Sequence, residues 1–385
     1  MLHVIRTMNP AAGGPVEGIR QLADGYAEGG WDVEVASLDA PGAPWISSFP
    51  RPIHALGPGA GGYGFSLAAV GKLRRLARRF DAMIVDGIWE FNGPLALLAS
   101  VGSRRPFYVF VHGMLDPWFK ETYPLKHVRK WLYWPWSIYW LLRRARRVLF
   151  TTDEERLLAR RSFWLYRCTE AVVGYGTSPP PTDEAAQRAA FEAAYPRTAG
   201  KRILLFLGRI DRKKGCDLLI EAFAEVFADK SDWMLMMAGP DRTGWRTDLE
   251  ARANAAGVGD RILWPGSLQG DVKWGAFRCA DAFVLPSHQE NFGVAVAEAL
   301  ACSLPVLISN KVNIWREIAR EGCGLVSDDT VSGTAGLLRT WSELDADMIA
   351  AMRAKARGCF DRNFDVKAAA ARLTAILTAD ADDAS

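Results

Sequence analysis

Short apolar runs alternate with longer stretches of helical periodicity along this chain, and Gly, Pro or Asp bounds most of the runs. This alternation is typical of strand–helix–strand units around a parallel sheet. Two series can be distinguished. The first predicts strands at Leu2–Ile5, Val33–Ala36, Ala82–Val85, Phe107–Val111 and Arg147–Phe150. The second predicts strands at Ile203–Leu207, Trp233–Met237, Arg261–Trp264, Ala282–Leu285 and Val306–Ile308.

The two series are separated by the segment GYGTSPPPT, residues 174–182, whose consecutive prolines cannot continue a helix or a central strand. We therefore predict an α/β protein with two doubly wound, Rossmann-like domains, residues 1–178 and 179–364. A final amphipathic helix, residues 365–380, is expected to close the second domain or pack back on the first, and the acidic ending ADADDAS to fray. Ligands of such sheets bind at the carboxyl ends of the strands, which indicates a site in a cleft between the domains.

Composition narrows the class of protein further. With 49% hydrophobic and 24% charged residues, the chain resembles an average globular protein and not a disordered or fibrous one. Its six cysteines form no CxxC pair, which indicates a reducing compartment. The amino terminus lacks the pattern of a signal peptide, and no apolar run is long enough to span a membrane. These features predict a cytoplasmic location.

Charge is unevenly distributed, because residues 1–180 hold 22 Lys and Arg against 15 Asp and Glu, whereas residues 181–385 hold 25 against 29. The most basic aromatic segment is Lys126–Arg147, which contains four tryptophans between two basic clusters. Such a segment suits a bilayer surface, and it equally suits a helix with core aromatics that Pro135 interrupts. Binding to nucleic acid is not expected, since no recognised module accompanies the charge.

Two cations follow the first strand of the second series, in the sequence LGRIDRKKG. Gly208 permits a tight exit from the strand, and Arg209 and Lys214 then flank the start of the next helix. An Arg fork and a compact Lys charge could stabilise a departing diphosphate without a metal. A solvated basic turn is the alternative interpretation.

The segment Ser287–Val306, SHQENFGVAVAEALACSLPV, carries the most informative pattern. A loop acid, Glu290, precedes a helix expected to begin near Gly293, whose amino end offers backbone N–H groups to a phosphate. Glu298 lies inside that helix among small and apolar neighbours and could accept both hydroxyls of a ribose. The alternative for Glu298 is a capping or pairing role on a helix surface.

The first series offers two further candidates at strand ends. Gly13 and Gly14 lie between the first strand and its helix, where they let the backbone approach a ligand closely, although they form neither GxGxxG nor a Walker loop. His112 follows a strand directly and could hydrogen-bond a sugar hydroxyl or carry protons.

Taken together, these residues resemble the retaining GT-B glycosyltransferases of family 4 over nearly the whole chain. The resemblance implies that Arg209 and Lys214 bind the diphosphate, that Glu298 binds the ribose, and that Gly14 and His112 match a glycine loop and a sugar-binding histidine. It also implies that the donor sugar and phosphate are bound by Glu290 and the backbone of Asn291, Phe292, Gly293 and Val294.

The implied reaction moves a hexose from a UDP- or GDP-sugar to a saccharide or lipid-linked acceptor, with retention and without a metal or cofactor. Two departures from the pattern are Asp86, in place of a histidine, and Ser303, in place of a glycine. Two D-x-D triplets, Asp345–Asp347 and Asp380–Asp382, are interpreted as solvated acids.

A nucleotide-sugar epimerase of the same fold and an inert nucleotide-sugar-binding protein remain alternatives. A dehydrogenase is disfavoured by the missing GxGxxG.

Overall fold

The computed structural model of the protein describes residues 1–103 and 105–383. Its backbone divides into two units: Met1–Gly176 together with the segment that starts at Val366, and Thr177–Asp365. The predicted domain boundary, after residue 178, lies close to this division. Each unit contains one parallel sheet flanked by helices, which confirms the predicted α/β class.

The sheet of the first unit has seven strands in the order β3-β2-β1-β4-β5-β6-β7, and every pairing is parallel. Its central strands are buried along their whole length, as expected for a sheet covered on both faces. The strands are β1 Leu2–Ile5, β2 Glu34–Ser37, β3 Ile53–Ala55, β4 Met83–Asp86, β5 Phe107–Phe110, β6 Arg147–Phe150 and β7 Glu170–Val172.

The sheet of the second unit has six parallel strands in the order β10-β9-β8-β11-β12-β13. They are β8 Arg202–Leu207, β9 Trp233–Ala238, β10 Ile262–Gly266, β11 Ala282–Leu285, β12 Val306–Ser309 and β13 Gly324–Ser327. In both sheets the strand order reverses beside the first strand of the unit, and ligands of open α/β sheets bind at such a switch point.

The helices of the first unit are α1 Gly14–Glu28, α2 Leu67–Ala77, α3 Asn92–Ser100, α4 Trp118–Thr122, α5 Pro124–Tyr133, α6 Tyr139–Arg144 and α7 Asp153–Ala159. Those of the second unit are α8 Glu184–Ala194, α9 Cys216–Phe227, α10 Arg246–Ala255, α11 Gly270–Cys279, α12 Val294–Ala301, α13 Trp315–Glu321, α14 Val331–Glu343 and α15 Ala346–Asn363. The last helix, α16 Val366–Asp382, belongs to the first unit, where it packs on α1.

The sequence pattern does not predict three of the strands, β3, β7 and β13. All three lie at the edge of a sheet, and all their residues are only half-buried. An edge strand covers less apolar surface than a central one, so its sequence need not form a continuous apolar run.

The interpretation of the carboxyl-terminal acids as solvated and frayed is wrong for Asp380. This residue is buried near the end of α16, where it accepts hydrogen bonds from Tyr108 Oη at 3.1 Å and Arg147 Nε at 2.8 Å. Burial tends to raise the pKa of Asp380, but the Arg147 guanidinium outweighs it and leaves the pKa below its ordinary value. Its partners lie far away along the chain, so the local sequence gave no sign of the pairing.

The tryptophans of the segment Lys126–Arg147 are divided between the core and the surface. Trp134 is buried, whereas Trp131, Trp136 and Trp140 are exposed. Pro135 lies in a π-helical turn, residues 134–138, that separates α5 from α6, as the expected interruption requires. No helix within the described part of the chain has the length and apolarity needed to cross a membrane.

Candidate functional site

The loop after β8 packs tightly against the end of β11. It begins at Gly208 and contains a short 3-10 turn, Arg212–Lys214, capped by Asp211, whose side chain accepts a hydrogen bond of 2.9 Å from the backbone N–H two residues later. Gly215 follows in the left-handed region with a φ of 66°. A Cβ at Gly215 would lie 2.3 Å from the carbonyl oxygen of Pro286, so only glycine fits this approach.

This close approach brings together two predicted site residues, Lys214 and Glu290, which form an ion pair. Both side chains are largely buried, with 14% and 18% of their surfaces exposed. The backbone of Glu290 is fixed as well. Its N–H donates to Lys311 O at 2.9 Å, its carbonyl oxygen accepts from Asn313 N–H at 3.0 Å, and it forms a parallel bridge with Val312. The loops after β11 and β12 therefore hold the acid in place.

Lys214, Lys213 and Arg209 outnumber the nearby acids Glu290 and Asp211, and this excess of positive charge favours an anionic ligand. Burial, together with the positive charges of Lys213 and Arg209, lowers the pKa of Lys214 to about 7. Arg209 is exposed and makes no hydrogen bond or ion pair with any residue that the structure describes. An anion bound between these cations would relieve their repulsion.

Helix α12 presents its amino end without a side-chain cap. Its N-cap is Gly293, with a φ of 80°, and its first residue is Val294, so the helix begins where the sequence predicted. Phe292 is buried and contacts Phe364 with ring centroids 5.6 Å apart. The side chain of Phe292 is therefore not available to a ligand, while Asn291 beside it is half-buried. First-turn N–H groups of this kind suit a phosphate oxygen.

Glu298 is buried within α12, with 9% of its side chain exposed. Its carboxylate accepts a hydrogen bond of 2.6 Å from Lys273 Nζ on α11. The pairing alternative is therefore correct in that Glu298 has a cationic partner, but the residue does not lie on a helix surface. Lys273 is a neighbour of the candidate site that sequence reasoning missed, since nothing in its helix distinguished it from a solvated lysine.

In the first unit, the predicted glycine loop lies at the carboxyl end of β1. Gly13 is the N-cap of α1, with a φ of 93°, and Gly14 is the first residue of the helix. A Cβ at either position would meet nothing within 4 Å, so the space beside this backbone is open. The carbonyl oxygen of Gly14 accepts a hydrogen bond of 3.0 Å from Tyr175 Oη.

His112 follows β5 at the same edge of the sheet, in a left-handed conformation with a φ of 48°. Its ring stacks on Phe110 with centroids 4.3 Å apart and meets Tyr175 edge-on at 6.3 Å. Tyr175 thus connects His112 with Gly14, although the sequence offered no reason to single it out. A non-glycine residue at positive φ costs about 1–3 kcal/mol and is often found at functional sites.

Asp86, which departs from the family pattern, lies buried at the end of β4. Its Oδ2 is 2.8 Å from His3 Nδ1, and its Oδ1 is 2.9 Å from His112 Nε2. Burial tends to raise the pKa of Asp86, but the two histidines outweigh this effect and leave the pKa below its ordinary value. His3 was also missed from the sequence, because it lies within the apolar run that predicts β1.

A cavity of about 530 Å³ opens at the carboxyl ends of β1 and β2. Its lining combines the indole of Trp45 with polar groups from Arg6, Asn9 and Asp39. An aromatic face with a few fixed polar groups is a common arrangement in binding sites for small molecules.

Two family models match the chain. The model for glycosyl transferases group 1 matches residues 187–358, and that for the glycosyl transferase 4-like domain matches residues 13–176. The lipopolysaccharide core biosynthesis mannosyltransferase LpsB of Rhizobium meliloti is 24% identical over 61% of this chain and 73% of that protein. The D-inositol 3-phosphate glycosyltransferase of an Arthrobacter species is 35% identical, over 34% of this chain and only 31% of that protein.

Solved structures show the same fold. Sucrose-phosphate synthase from Thermosynechococcus elongatus aligns with a TM-score of 0.76 and 19% identity over 98% of both chains. Anabaena HepE in complex with UDP and glucose aligns with a TM-score of 0.76 and 17% identity over 98% of this chain and 100% of that one. With both family models matched and both sheets present, this chain belongs to the group 1, family 4 glycosyltransferases and has the GT-B fold.

Proposed function

We propose that this chain transfers a hexose, with retention of configuration, from a UDP- or GDP-sugar to a saccharide or lipid-linked acceptor in bacterial polysaccharide, lipopolysaccharide or glycolipid synthesis. The observation that carries the proposal is the buried pair of Lys214 and Glu290, with the exposed Arg209 beside it. A cation with a lowered pKa next to an exposed guanidinium suits a site where diphosphate charge develops.

Each part of the donor has a candidate partner in the second unit. Arg209 and Lys214 would bind the diphosphate, and the free amino end of α12 a phosphate oxygen. Glu298 would accept hydrogen bonds from the ribose hydroxyls. Glu290, held in place by the loop after β12, would bind hydroxyls of the sugar.

The proposed reaction needs neither a metal nor a cofactor. The bond between the anomeric carbon and the diphosphate oxygen breaks, and the acceptor oxygen forms its new bond to that carbon on the same face. The acceptor proton passes to the departing phosphate oxygen. Arg209 and Lys214 would stabilise the negative charge on the leaving group as the bond breaks.

We propose that the acceptor binds to the first unit, in the cavity lined by Arg6, Asn9, Asp39 and Trp45. An indole face can stack on a sugar ring while the polar groups bind its hydroxyls. LpsB, by its name, acts in lipopolysaccharide core synthesis, and HepE has been solved with UDP and with UDP-glucose. These relatives support a nucleotide-sugar donor and a bacterial glycan product.

A thermal-shift screen with UDP, GDP, ADP and their sugars tests donor binding. A ligand at 100 times its Kd stabilises the folded state by roughly 2.7 kcal/mol, which is a readily measured rise in Tm. We expect one nucleotide family to raise Tm and inorganic phosphate at the same concentration to leave it unchanged. If none of the nucleotides or nucleotide sugars raises Tm, the proposed donor site is wrong.

The proposal also includes contact with an anionic bilayer, at the inner face of a membrane, through α5 and the turn that follows. Leu125, Val128 and Leu132 recur along one exposed side of α5, and Trp136 beyond them is 84% exposed. Basic side chains flank this apolar stripe, including the exposed Arg129. Apolar and aromatic groups beside cations are suited to the boundary between headgroups and acyl chains.

Flotation with phosphatidylglycerol-containing vesicles tests this contact. We expect the wild type to float with these vesicles at low salt. The double variant Leu132→Ser, Trp136→Ser should bind at least about 10-fold more weakly, since each change removes apolar area that would be buried in the bilayer. Met348→Ser alters an exposed apolar residue on the second unit and should float like the wild type. Flotation by the double variant at the wild-type level would contradict the contact.

A further inference from the structure

We infer that Asp86 is a positioning residue that holds the ring of His112 in the tautomer with its proton on Nε2, so that Nδ1 is left to accept a hydrogen bond from a substrate hydroxyl. The inference rests on the proposed function, because it deepens the role of His112 in sugar binding. It also accounts for the departure of Asp86 from the family pattern.

The carboxylate of Asp86 determines which nitrogens of the two histidine rings carry protons. An ionised carboxylate has only acceptor oxygens, so both rings that contact it must donate. His112 therefore donates Nε2–H to Oδ1 at 2.9 Å, and His3 donates Nδ1–H to Oδ2 at 2.8 Å. A neutral ring that carries its proton on Nε2 has a lone pair on Nδ1.

The carboxylate of Asp86 is itself held in place by its neighbours. Asp86 is buried, and Asn92 donates from its side-chain amide to the Asp86 carbonyl oxygen at 2.8 Å, which fixes the turn after β4. His3 occupies the second carboxylate oxygen and stacks on Tyr26 with ring centroids 5.8 Å apart. The carboxylate cannot rotate away from His112 without losing one of these contacts.

The ring of His112 is confined on several sides. Phe110 covers one face, Tyr175 approaches edge-on, and Asp86 binds Nε2. The backbone of the adjacent Gly113 donates its N–H to the buried carboxylate of Glu155, which fixes the left-handed turn. Within residues 1–103 and 105–383, Nδ1 of His112 has no hydrogen-bond partner, while 9% of the side chain stays exposed.

These contacts combine to give an acceptor nitrogen in a strained, well-defined position at the carboxyl edge of the sheet. A histidine in place of Asp86 has no oxygens and could not accept hydrogen bonds from both His3 and His112. Only the aspartate lets the end of β4 hold both rings as donors.

The direct test is nitrogen-15 NMR of the histidine rings in the full chain, which contains five histidines. Long-range proton–nitrogen correlation distinguishes the two neutral tautomers, and the His112→Gln variant identifies the His112 signals by their loss. We expect the wild-type His112 proton on Nε2. In Asp86→Asn, the amide N–H can donate to Nε2, and we expect the proton to move to Nδ1.

The second test measures sugar transfer. We expect Asp86→Asn to lower kcat/KM for the donor by about 10- to 100-fold, since the substrate hydroxyl loses its acceptor lone pair. Asp81→Asn is the matched control: it makes the same chemical change just before β4, where Asp81 is exposed and paired with Arg105. The control should match the wild type in both tests.

The outcomes separate this inference from the proposed function. A wild-type His112 proton on Nδ1, a His112 proton that stays on Nε2 in Asp86→Asn, or an Asp86→Asn variant that transfers sugar at the wild-type rate overturns the positioning role. A His112 proton on Nε2 that moves in Asp86→Asn supports the positioning role even if the wild type transfers no sugar. In that case the proposed function is the part that fails.

Discussion

Replacing Lys214 with alanine should lower kcat for sugar transfer by at least about 100-fold, one of the two largest effects that we expect from a single substitution. The ammonium group lies in a buried site beside Arg209, where it would stabilise the charge that develops on the departing diphosphate. Removing one preorganised partner of a developing charge typically costs about 100- to 1000-fold in turnover.

The measurement is steady-state release of nucleoside diphosphate at saturating donor, compared between wild type and Lys214→Ala. Lys201→Ala is a suitable control, because Lys201 precedes β8 whereas Lys214 follows it, and its side chain is exposed at the opposite end of the strand. The control should keep its activity within about threefold. An unchanged kcat for Lys214→Ala would refute the assigned role.

The same lysine should give the reaction a dependence on pH. Lys214 is charged below its pKa of about 7 in the free protein, so its charged fraction falls as the pH rises through that value. We therefore expect kcat/KM for the donor, which reports on the free enzyme, to decline above about pH 7. The bound diphosphate favours the charged amine, so kcat should hold to higher pH. Profiles from pH 6 to 9 would show this difference.

Replacing Glu298 with alanine should raise the KM for the donor by about 10- to 100-fold and change kcat little. The buried carboxylate would accept hydrogen bonds from ribose hydroxyls, which are present equally in the ground state and the transition state. Hydrogen bonds to a charged group contribute about 1.5–3 kcal/mol, which corresponds to this range.

Inhibition by the nucleoside diphosphate and its 2′-deoxy analogue makes this test specific. The wild type should bind the deoxy analogue more weakly, whereas Glu298→Ala should hardly distinguish the two, because the partner of the missing hydroxyl is gone. Glu221→Ala removes an exposed helical glutamate paired with Arg252 and serves as the control. If Glu298→Ala discriminates as strongly as the wild type, Glu298 does not bind the ribose.

The sequence predicted the central strands well because they are buried on both faces and therefore form continuous apolar runs. It also located the start of α12, since Gly293 separates the polar loop after β11 from the small and apolar residues of the helix. It missed three of the four edge strands, β3, β7 and β13, whose half-buried residues leave no such run. The aspartate at position 380 was misread for a related reason, because its partners on β5 and β6 lie far away in the chain.

In the candidate site, too, contacts between residues far apart in the chain could not be predicted from the local sequence. Lys214 and Glu290 could each be singled out from their strand ends, but their contact depends on Gly215, whose importance is visible only once Pro286 packs against it. Asp86 could be recognised only as a departure from the family. Its bonds to His3 and His112 join three separate strand regions, and pairings of that kind leave no local pattern.

The central claim is that this chain turns over a nucleotide sugar at the site around Lys214 and Glu290. Its most direct test is the release of nucleoside diphosphate from a panel of UDP-, GDP- and ADP-sugars by the wild type and by Glu290→Ala, with product sugars analysed for an epimer. We predict release by the wild type with at least one donor, a loss of at least about 100-fold in Glu290→Ala, and no epimer. A wild type that binds a nucleotide sugar but releases no diphosphate would contradict the claim and indicate a binding protein. An epimerised sugar would contradict it in favour of an epimerase.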